Sequence, residues 1–290
     1  MIWQYIVNGL CAGALFGLTA LGLSLIYNVT NVFHFAHGAV YTSAAYLLFL
    51  FACKTSIGAA PATILALTLA ILLGVLMDRF FYAPLPAGVR RTVPIITSFG
   101  IYIVIVNLIA LGFGNDTQIL HPGVEKTFEI GPVIVTRIQA IQASVFALLF
   151  LLTALLLKFS RYGRLIRAVS DNRKLAEALG LDIKKARLLA FSYGSGLAAA
   201  AACLSALETG MDPYMGLAAT LSAVVAMIFG GVRVFAAAAV GGVMLGVIQS
   251  LVTWQTSARW QSAVTFAILL VVLIFRPQGL FGAKKRLEEQ

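Results

Sequence analysis

Two histidines, His34 and His37, are the side chains in this sequence best suited to chemistry, because they stand at the start of a long apolar segment. Residues three positions apart share one face of a helix, so we expect the two imidazoles to lie close together. An imidazole at membrane depth needs a polar partner or a watery cavity. A metal site, a structural hydrogen-bonding or capping role, and the lining of a pathway all remain open. A metal site would need further ligands, and the third histidine, His121, lies far away in a polar loop.

Two more isolated polar residues, Asn107 and Ser222, fall inside predicted apolar segments. Such groups either form hydrogen bonds between helices or face a pathway. Our hypothesis is that His34, His37, Asn107 and Ser222 face such a pathway, because all four are polar groups at membrane depth. The sequence contains neither a cluster of nucleophile, base and orienting residue nor a glycine-rich phosphate-binding loop. We therefore expect no catalytic residues and no cofactor bound by this chain. Because His34 and His37 lack further ligands nearby in the sequence, we also expect no metal.

The composition indicates a membrane protein, since 60% of the 290 residues are hydrophobic, 11% are charged, and the mean hydropathy is +0.95. One soluble core of this size could not bury so much apolar surface. The expected fold is all-α, a polytopic helical bundle that forms a single domain over residues 1–290. The net charge of +10 is concentrated in one loop and the C-terminal tail, a pattern that indicates membrane topology rather than nucleic-acid binding.

About eight to nine transmembrane segments are predicted from the apolar runs, and the charge bias of the loops places the N-terminus outside and the Lys284–Arg286 tail in the cytoplasm. Glycines recur along the first span, a spacing that lets another helix approach closely. The nine candidate spans are residues 3–27, 33–53, 60–77, 94–113, 141–157, 188–207, 216–229, 235–254 and 263–275.

The polar segment from Lys158 to Arg187 carries nine Lys and Arg residues against three acids, so the positive-inside rule predicts a cytoplasmic loop. Within it we expect a short helix capped by Asp171 and ended by Gly180 at its C′ position. Leu175 and Leu179 would form a small apolar face at positions i and i+4. Two interpretations of this helix remain open: docking into a groove on another protein, or lying on lipid headgroups.

Four stretches together make the chain resemble a permease subunit of the bacterial branched-chain amino acid ABC importers, specifically the smaller subunit of the heterodimeric pair. Their order and spacing carry the resemblance over nearly the full length. The stretches are Phe35–Gly38; Asp78–Arg79 with Tyr82–Leu85; Ser160–Arg164 through Leu179–Leu181; and Asp212–Tyr214 through Gly230–Gly231, followed by Gly241–Gly242 and Arg276–Leu280.

This resemblance implies a multi-pass protein of the bacterial inner membrane that works with partners. They are a homologous second permease subunit, two cytoplasmic ATPase subunits that use the ATP, and a periplasmic substrate-binding protein, all within membrane lipid. It also implies that the loop at about 158–187 couples the chain to the ATPase. The coupling residues carried over by the resemblance are Asp171, Asn172, Leu175, Ala176, Glu177, Ala178, Leu179, Gly180 and Leu181.

Departures from the pattern of the family leave the substrate open. Relatives commonly have Asn at the position of His34, a basic residue near Ser222, and a different turn at Arg233–Ala237. Branched-chain or related amino acids are the expected substrates, and urea, short amides or aromatic acids are the alternatives within the family. An ATPase-independent transporter or channel is a further alternative, but the apolar spans contain almost no carboxylates for ion coupling.

Overall fold

The computed structural model describes residues 2–55, 57–86, 89–90, 92–120 and 126–282. His121 and the Lys284–Arg286 tail lie outside the described residues. The described part is helical apart from one β-hairpin and its connections. In chain order it comprises α1 (Ile2–Thr30), α2 (His37–Phe49, continued by a π-helical turn, Leu50–Lys54), α3 (Ala59–Met77, continued by a π-helical turn, Asp78–Tyr82), α4 (Thr92–Phe113), β1 (Thr127–Ile130), β2 (Val133–Thr136), α5 (Arg137–Phe159), α6 (Arg161–Asp171), α7 (Arg173–Ala178), α8 (Ile183–Thr209), α9 (Met215–Gly230), α10 (Phe235–Gln255), a 3₁₀ turn (Ala258–Trp260) and α11 (Gln261–Phe275).

The expected helical membrane bundle is confirmed. Each of the nine predicted apolar spans contains a helix, and within the described ranges seven helical segments are long and apolar enough to cross a membrane. Helix α9 is shorter, at 16 residues. Helix α2 with its π-helical turn is buried over most of its length, so it lies inside the bundle rather than at its lipid-facing surface.

Helix α1 forms the centre of the bundle, because glycines on its surface let two other helices approach its backbone. A Cβ atom on Gly13 would lie 2.7 Å from the Cα atom of Val243 in α10. A Cβ atom on Gly22 would lie 2.5 Å from the carbonyl oxygen of Gly194 in α8. The glycine spacing of the first span is therefore a helix-packing feature, as predicted.

The β-hairpin was not predicted, since its ten residues lie in a mixed polar loop. Its strands pair antiparallel from Thr127 with Thr136 to Ile130 with Val133. The side chain of Gln4 at the start of α1 holds it in place, because its Nε2 donates to the carbonyl oxygen of Ile134 and its Oε1 accepts from the Ile134 N–H, both at 2.8 Å. We call this end of the bundle the hairpin end, and the opposite end, which carries α6 and α7, the basic end.

Candidate functional site

The polar loop of the basic end begins with a helix that the sequence analysis missed, α6. The Ser160 side chain caps it by accepting from the N–H groups of Tyr162 and Gly163. One face of α6 is buried through Gly163, Ile166 and Val169, while its arginines remain exposed. This amphipathic pattern and the Ser160 cap were the signals that could have revealed the helix.

The predicted cap of the following helix was wrong by one residue. Asp171 is the last residue of α6, whereas Asn172 has extended backbone angles and is the N-cap of α7. The Asn172 Oδ1 atom accepts from the N–H of Leu175 at 3.0 Å. The error arose because α6 was not predicted. Asp171 has helical backbone angles as the last residue of α6, so it cannot also be the extended N-cap of α7.

The predicted end of α7 is confirmed. Gly180 has a φ of +75°, which an L side chain rarely adopts. Its N–H donates to the carbonyl oxygen of Glu177, and the N–H of Leu181 donates to that of Ala176, both at 3.0 Å. These two bonds form a Schellman motif, so the local sequence alone stops the helix at this point.

The outer surface of α7 is apolar and uncovered. Leu175 is 55% exposed and Leu179 is 71% exposed, whereas Ala176 is 3% exposed and anchors the opposite side. The two leucines therefore form the small apolar face that their spacing predicted. Burying such side chains against a partner is favourable by about 1.5–3 kcal/mol each, so the face is suited to docking.

Helix α7 is joined closely to α8. Only four residues separate the two helices, and the last of them, Asp182, caps α8 by accepting from the N–H of Lys185 at 3.0 Å. In the first turns of α8, Arg187 forms an ion pair with Asp78 at the end of α3. Both side chains are mostly buried, at 16% and 12% exposed. A displacement of α7 would therefore be passed on to α8 and α3.

The ion pair was not predicted, since its partners lie 109 residues apart in the chain. Each was noted only as a charge near the end of an apolar span. Beside it is a cavity of about 960 Å³ whose walls include Arg173 and Glu177 of α7.

The two histidines lie together inside the bundle, 1% and 0% exposed. The Nδ1 atom of His34 is hydrogen-bonded to the hydroxyl of Tyr82 at 2.8 Å, and its ring lies 5.7 Å from that of His37. The His34 ring also contacts the ring of Phe191 in α8. Phe191 lies eight residues, or about 12 Å, beyond the start of that helix. Within the described residues, neither nitrogen of His37 has a hydrogen-bond partner. The geometry gives His34 a structural hydrogen bond.

The other two candidate pathway residues lie elsewhere. Asn107 is on an exposed face of α4, where its Nδ2 donates to the carbonyl oxygen of Ile103 at 2.8 Å. Ser222 lines a cavity of about 640 Å³ between α1, α8, α9, α10 and α11. The structure thus brings His34 and His37 together but separates them from Asn107 and Ser222. Among the residues described, no group of three or more His, Cys, Asp or Glu side chains is arranged to hold a metal ion.

The cavity at Ser222 is acidic and polar. Glu208 and Asp212 are its charged lining residues, and Tyr41 reaches it from α2. The Glu208 carboxylate accepts from the Nε2 atom of Gln142 at 2.6 Å and from that of Gln139 at 3.2 Å. Carboxylates held in this way can attract a cationic group such as an ammonium.

Comparison with known proteins identifies a family of transport permeases. The family described as "Branched-chain amino acid transport system / permease component" matches residues 5–273. The chain is 29% identical to the high-affinity branched-chain amino acid transport system permease protein BraD of Pseudomonas aeruginosa, over 96% of this chain and 95% of that protein. It is 28% identical to the corresponding permease protein LivH of Escherichia coli (strain K12), with the same coverage.

One solved structure has a similar fold. PsaBC from Streptococcus pneumoniae in complex with Fab aligns with 96% of this chain and 94% of the matched chain. The TM-score is 0.54 and the sequence identity is 12%. At this identity the similarity concerns the fold alone.

Proposed function

The chain belongs to the family of branched-chain amino acid transport system permease components, and from this premise we propose that it forms half of the translocation path of an ATP-driven importer. It is a multi-pass membrane protein with long apolar helices. A permease moves its substrate without chemical change, and this role agrees with the absence of a catalytic cluster from the sequence. We therefore propose that the chain is not an enzyme.

The observation that carries the proposal is the uncovered apolar face of α7, formed by Leu175 and Leu179. We propose that this face docks in a groove of a cytoplasmic ATPase subunit, one copy of which contacts this chain and a second its partner. The lack of a phosphate-binding loop in the chain fits this arrangement, since the ATP must then be bound by other subunits. ATP-driven movement of α7 would tilt α8 and α3 and exchange outward and inward openings.

The homologous second permease is proposed to complete the path. The helices at the surface of this chain offer broad apolar faces for that partner and for membrane lipid. Leu111 on α4 is 84% exposed, and Phe275 on α11 is 78% exposed. Surfaces of this kind are covered in the membrane by lipid or by another protein.

The distribution of charge supports a proposed orientation. We propose that the basic end faces the cytoplasm of the bacterial inner membrane, because α6, α7 and the loop around them carry a large excess of Lys and Arg. The N-terminus at the hairpin end is then outside, where the periplasmic binding protein delivers substrate. The C-terminal tail is then cytoplasmic.

Branched-chain amino acids are the proposed substrates, since the matched family and both relatives are described as transporting them. The test is uptake by proteoliposomes that contain this chain, its partner permease, the ATPase subunits and the binding protein. Radiolabelled leucine, isoleucine and valine should accumulate only when ATP is enclosed with the ATPase. Uptake of urea or an aromatic acid in their place, or uptake of leucine without ATP, would contradict the proposal.

A further inference from the structure

A second cavity at the basic end, of about 740 Å³, has a strongly cationic wall. It lies between the end of α5, the end of α6 and the turn that joins α9 to α10. Lys158, Arg167 and Arg233 line it, and Asp171 is the one acid among its lining residues. Three cations and one carboxylate give this wall a net formal charge of +2.

Among the residues that the structure describes, none of the three cations is paired with a carboxylate. The ion pair between Arg187 and Asp78, on another part of the basic end, is the one salt bridge found among the described residues. Arg167 and Asp171 are four residues apart on α6, yet they do not pair. Like charges around one cavity repel each other, and an anion bound between them would relieve that repulsion. Arginine is well suited to such an anion, because its guanidinium can form two parallel hydrogen bonds to a phosphate.

The start of α10 adds backbone donors to the same cavity. Phe235 and Ala236 line it, and in the described structure the N–H of neither has an acceptor. The N-cap residue, Val234, has no side-chain group that could accept from them. Helix α10 is 21 residues long, so its N-terminus carries the positive partial charge of a full helix dipole. These N–H groups supplement the cationic side chains.

Apolar surface continues from the cavity along the membrane-facing sides of the adjoining helices. On α5, Leu151 is 56% exposed and Leu155 is 44% exposed, both within two turns of Lys158. On α10, Val240 is 38% exposed and lies one turn beyond Ala236. A ligand with a phosphate at the helix ends and hydrocarbon along the helices would match both surfaces. Free phosphate would match only the first.

We propose that this cavity binds the phosphate group of an anionic phospholipid, with the acyl chains lying against the exposed leucines of α5 and Val240 of α10. The cavity is lined by the last turn of α6, which leads into α7, so a bound lipid would hold the base of the proposed coupling loop against the bundle. This site is independent of the transported substrate. It goes beyond the proposed function and would stand if that function were wrong.

The experiment measures thermal unfolding of the purified full-length chain, with its partner subunits, as lipid is added to a neutral detergent. Phosphatidylglycerol should raise the unfolding temperature saturably, whereas phosphatidylcholine, inorganic phosphate and glycerophosphoglycerol should not. The variant Arg233→Gln should weaken the apparent affinity for phosphatidylglycerol about fivefold, because each cation near the headgroups contributes about 1 kcal/mol. Arg164→Gln is the matched control, since Arg164 is an exposed residue of α6 outside the cavity and should leave the affinity unchanged.

Several results would overturn the proposal. Equal affinities for the two variants would show that the cavity does not hold the lipid, and an equal response to phosphatidylcholine would show that the anion is irrelevant. A saturable shift with inorganic phosphate equal to that with phosphatidylglycerol would identify a free anion as the ligand. Unchanged lipid affinity with weaker ATPase retention in Arg233→Gln would assign the cavity to an acidic protein surface. If Arg233→Gln does not fold, Lys158→Gln replaces it and should weaken the apparent affinity for phosphatidylglycerol by the same factor.

Discussion

Arg187 of α8 donates a hydrogen bond to the carboxylate of Asp78 at the end of α3, and this ion pair lines the same cavity as Arg173 and Glu177 of α7, the proposed coupling helix. It connects the two spans that would have to move together when α7 moves. Both side chains are mostly buried, so each compensates the charge of the other where little water can reach. Removing one partner would leave an uncompensated charge at that depth.

The variant Asp78→Asn should therefore lower the stability of the chain by about 3 kcal/mol, as expected for breaking a largely buried ion pair. The measurement is the unfolding midpoint in detergent. The exchanged pair Asp78→Arg with Arg187→Asp should recover part of the loss. Arg79→Gln is the control, because Arg79 is an exposed neighbour without an ion-pair partner in the described residues. A loss for Arg79→Gln as large as that for Asp78→Asn would contradict a specific role for the pair.

The hydrogen bond between Tyr82 and His34 should stabilise the folded chain. Tyr82→Phe removes the hydroxyl bonded to the His34 Nδ1 atom and should cost about 1–3 kcal/mol, because a buried polar group is left unsatisfied. Tyr102→Phe is the matched control, since the Tyr102 hydroxyl is buried without a partner among the described residues. The control should be neutral or stabilising. Equal losses in thermal unfolding for both variants would mean that the hydrogen bond contributes nothing.

The close packing of α1 against α10 should require glycine at the contact between Gly13 and Gly246. A side chain at Gly246 would overlap the backbone of Gly13, so Gly246→Val should destabilise the bundle by about 1–3 kcal/mol or prevent its assembly. Gly100→Val on α4 is the control, because nothing lies within 4 Å of the position of its Cβ atom. The amount of folded protein recovered from membranes, together with its unfolding midpoint, distinguishes the two. Tolerance of Gly246→Val would show that the helices are not in contact there.

Accessibility of the cavity at Ser222 is the subject of a fourth prediction. In a background with Cys11, Cys53 and Cys203 replaced by Ala, Ser222→Cys should react with a water-soluble maleimide in at least one transport state. Thr220→Cys, on the same helix but 0% exposed, should not react. No labelling of Ser222→Cys in any state would count against a place in the path.

Much of the fold could be predicted from the sequence because its strongest signal is local. Long apolar runs must form helices in lipid, where backbone groups have no other partners, and each of the nine runs contains a helix. The hairpin Thr127–Thr136 escaped prediction because its alternation is short and its anchor, Gln4, lies 130 positions away. Helix α6 escaped it because its charged face was taken as loop.

The candidate site likewise combines local features, which the sequence predicts, with long-range contacts, which it does not. Gly180 and the spacing of Leu175 and Leu179 are properties of one turn of helix, so they could be predicted without knowledge of the rest. The pairing of Asp78 with Arg187 depends on how α3 and α8 pack, and charge patterns do not encode that. The separation of Ser222 from His34 likewise depends on how α9 packs in the bundle, which the polarity of single residues does not encode.

The most direct test of the account is the retention of the ATPase by the purified chain in detergent, after co-expression with its candidate ATPase and partner permease. The double variant Leu175→Asp with Leu179→Asp should lose the ATPase while its unfolding midpoint stays unchanged, since both side chains are exposed. The matched control Phe128→Asp, which alters an exposed aromatic side chain at the hairpin end, should retain it. If the double variant retains the ATPase as fully as the control does, α7 is not the coupling helix and the central claim is wrong.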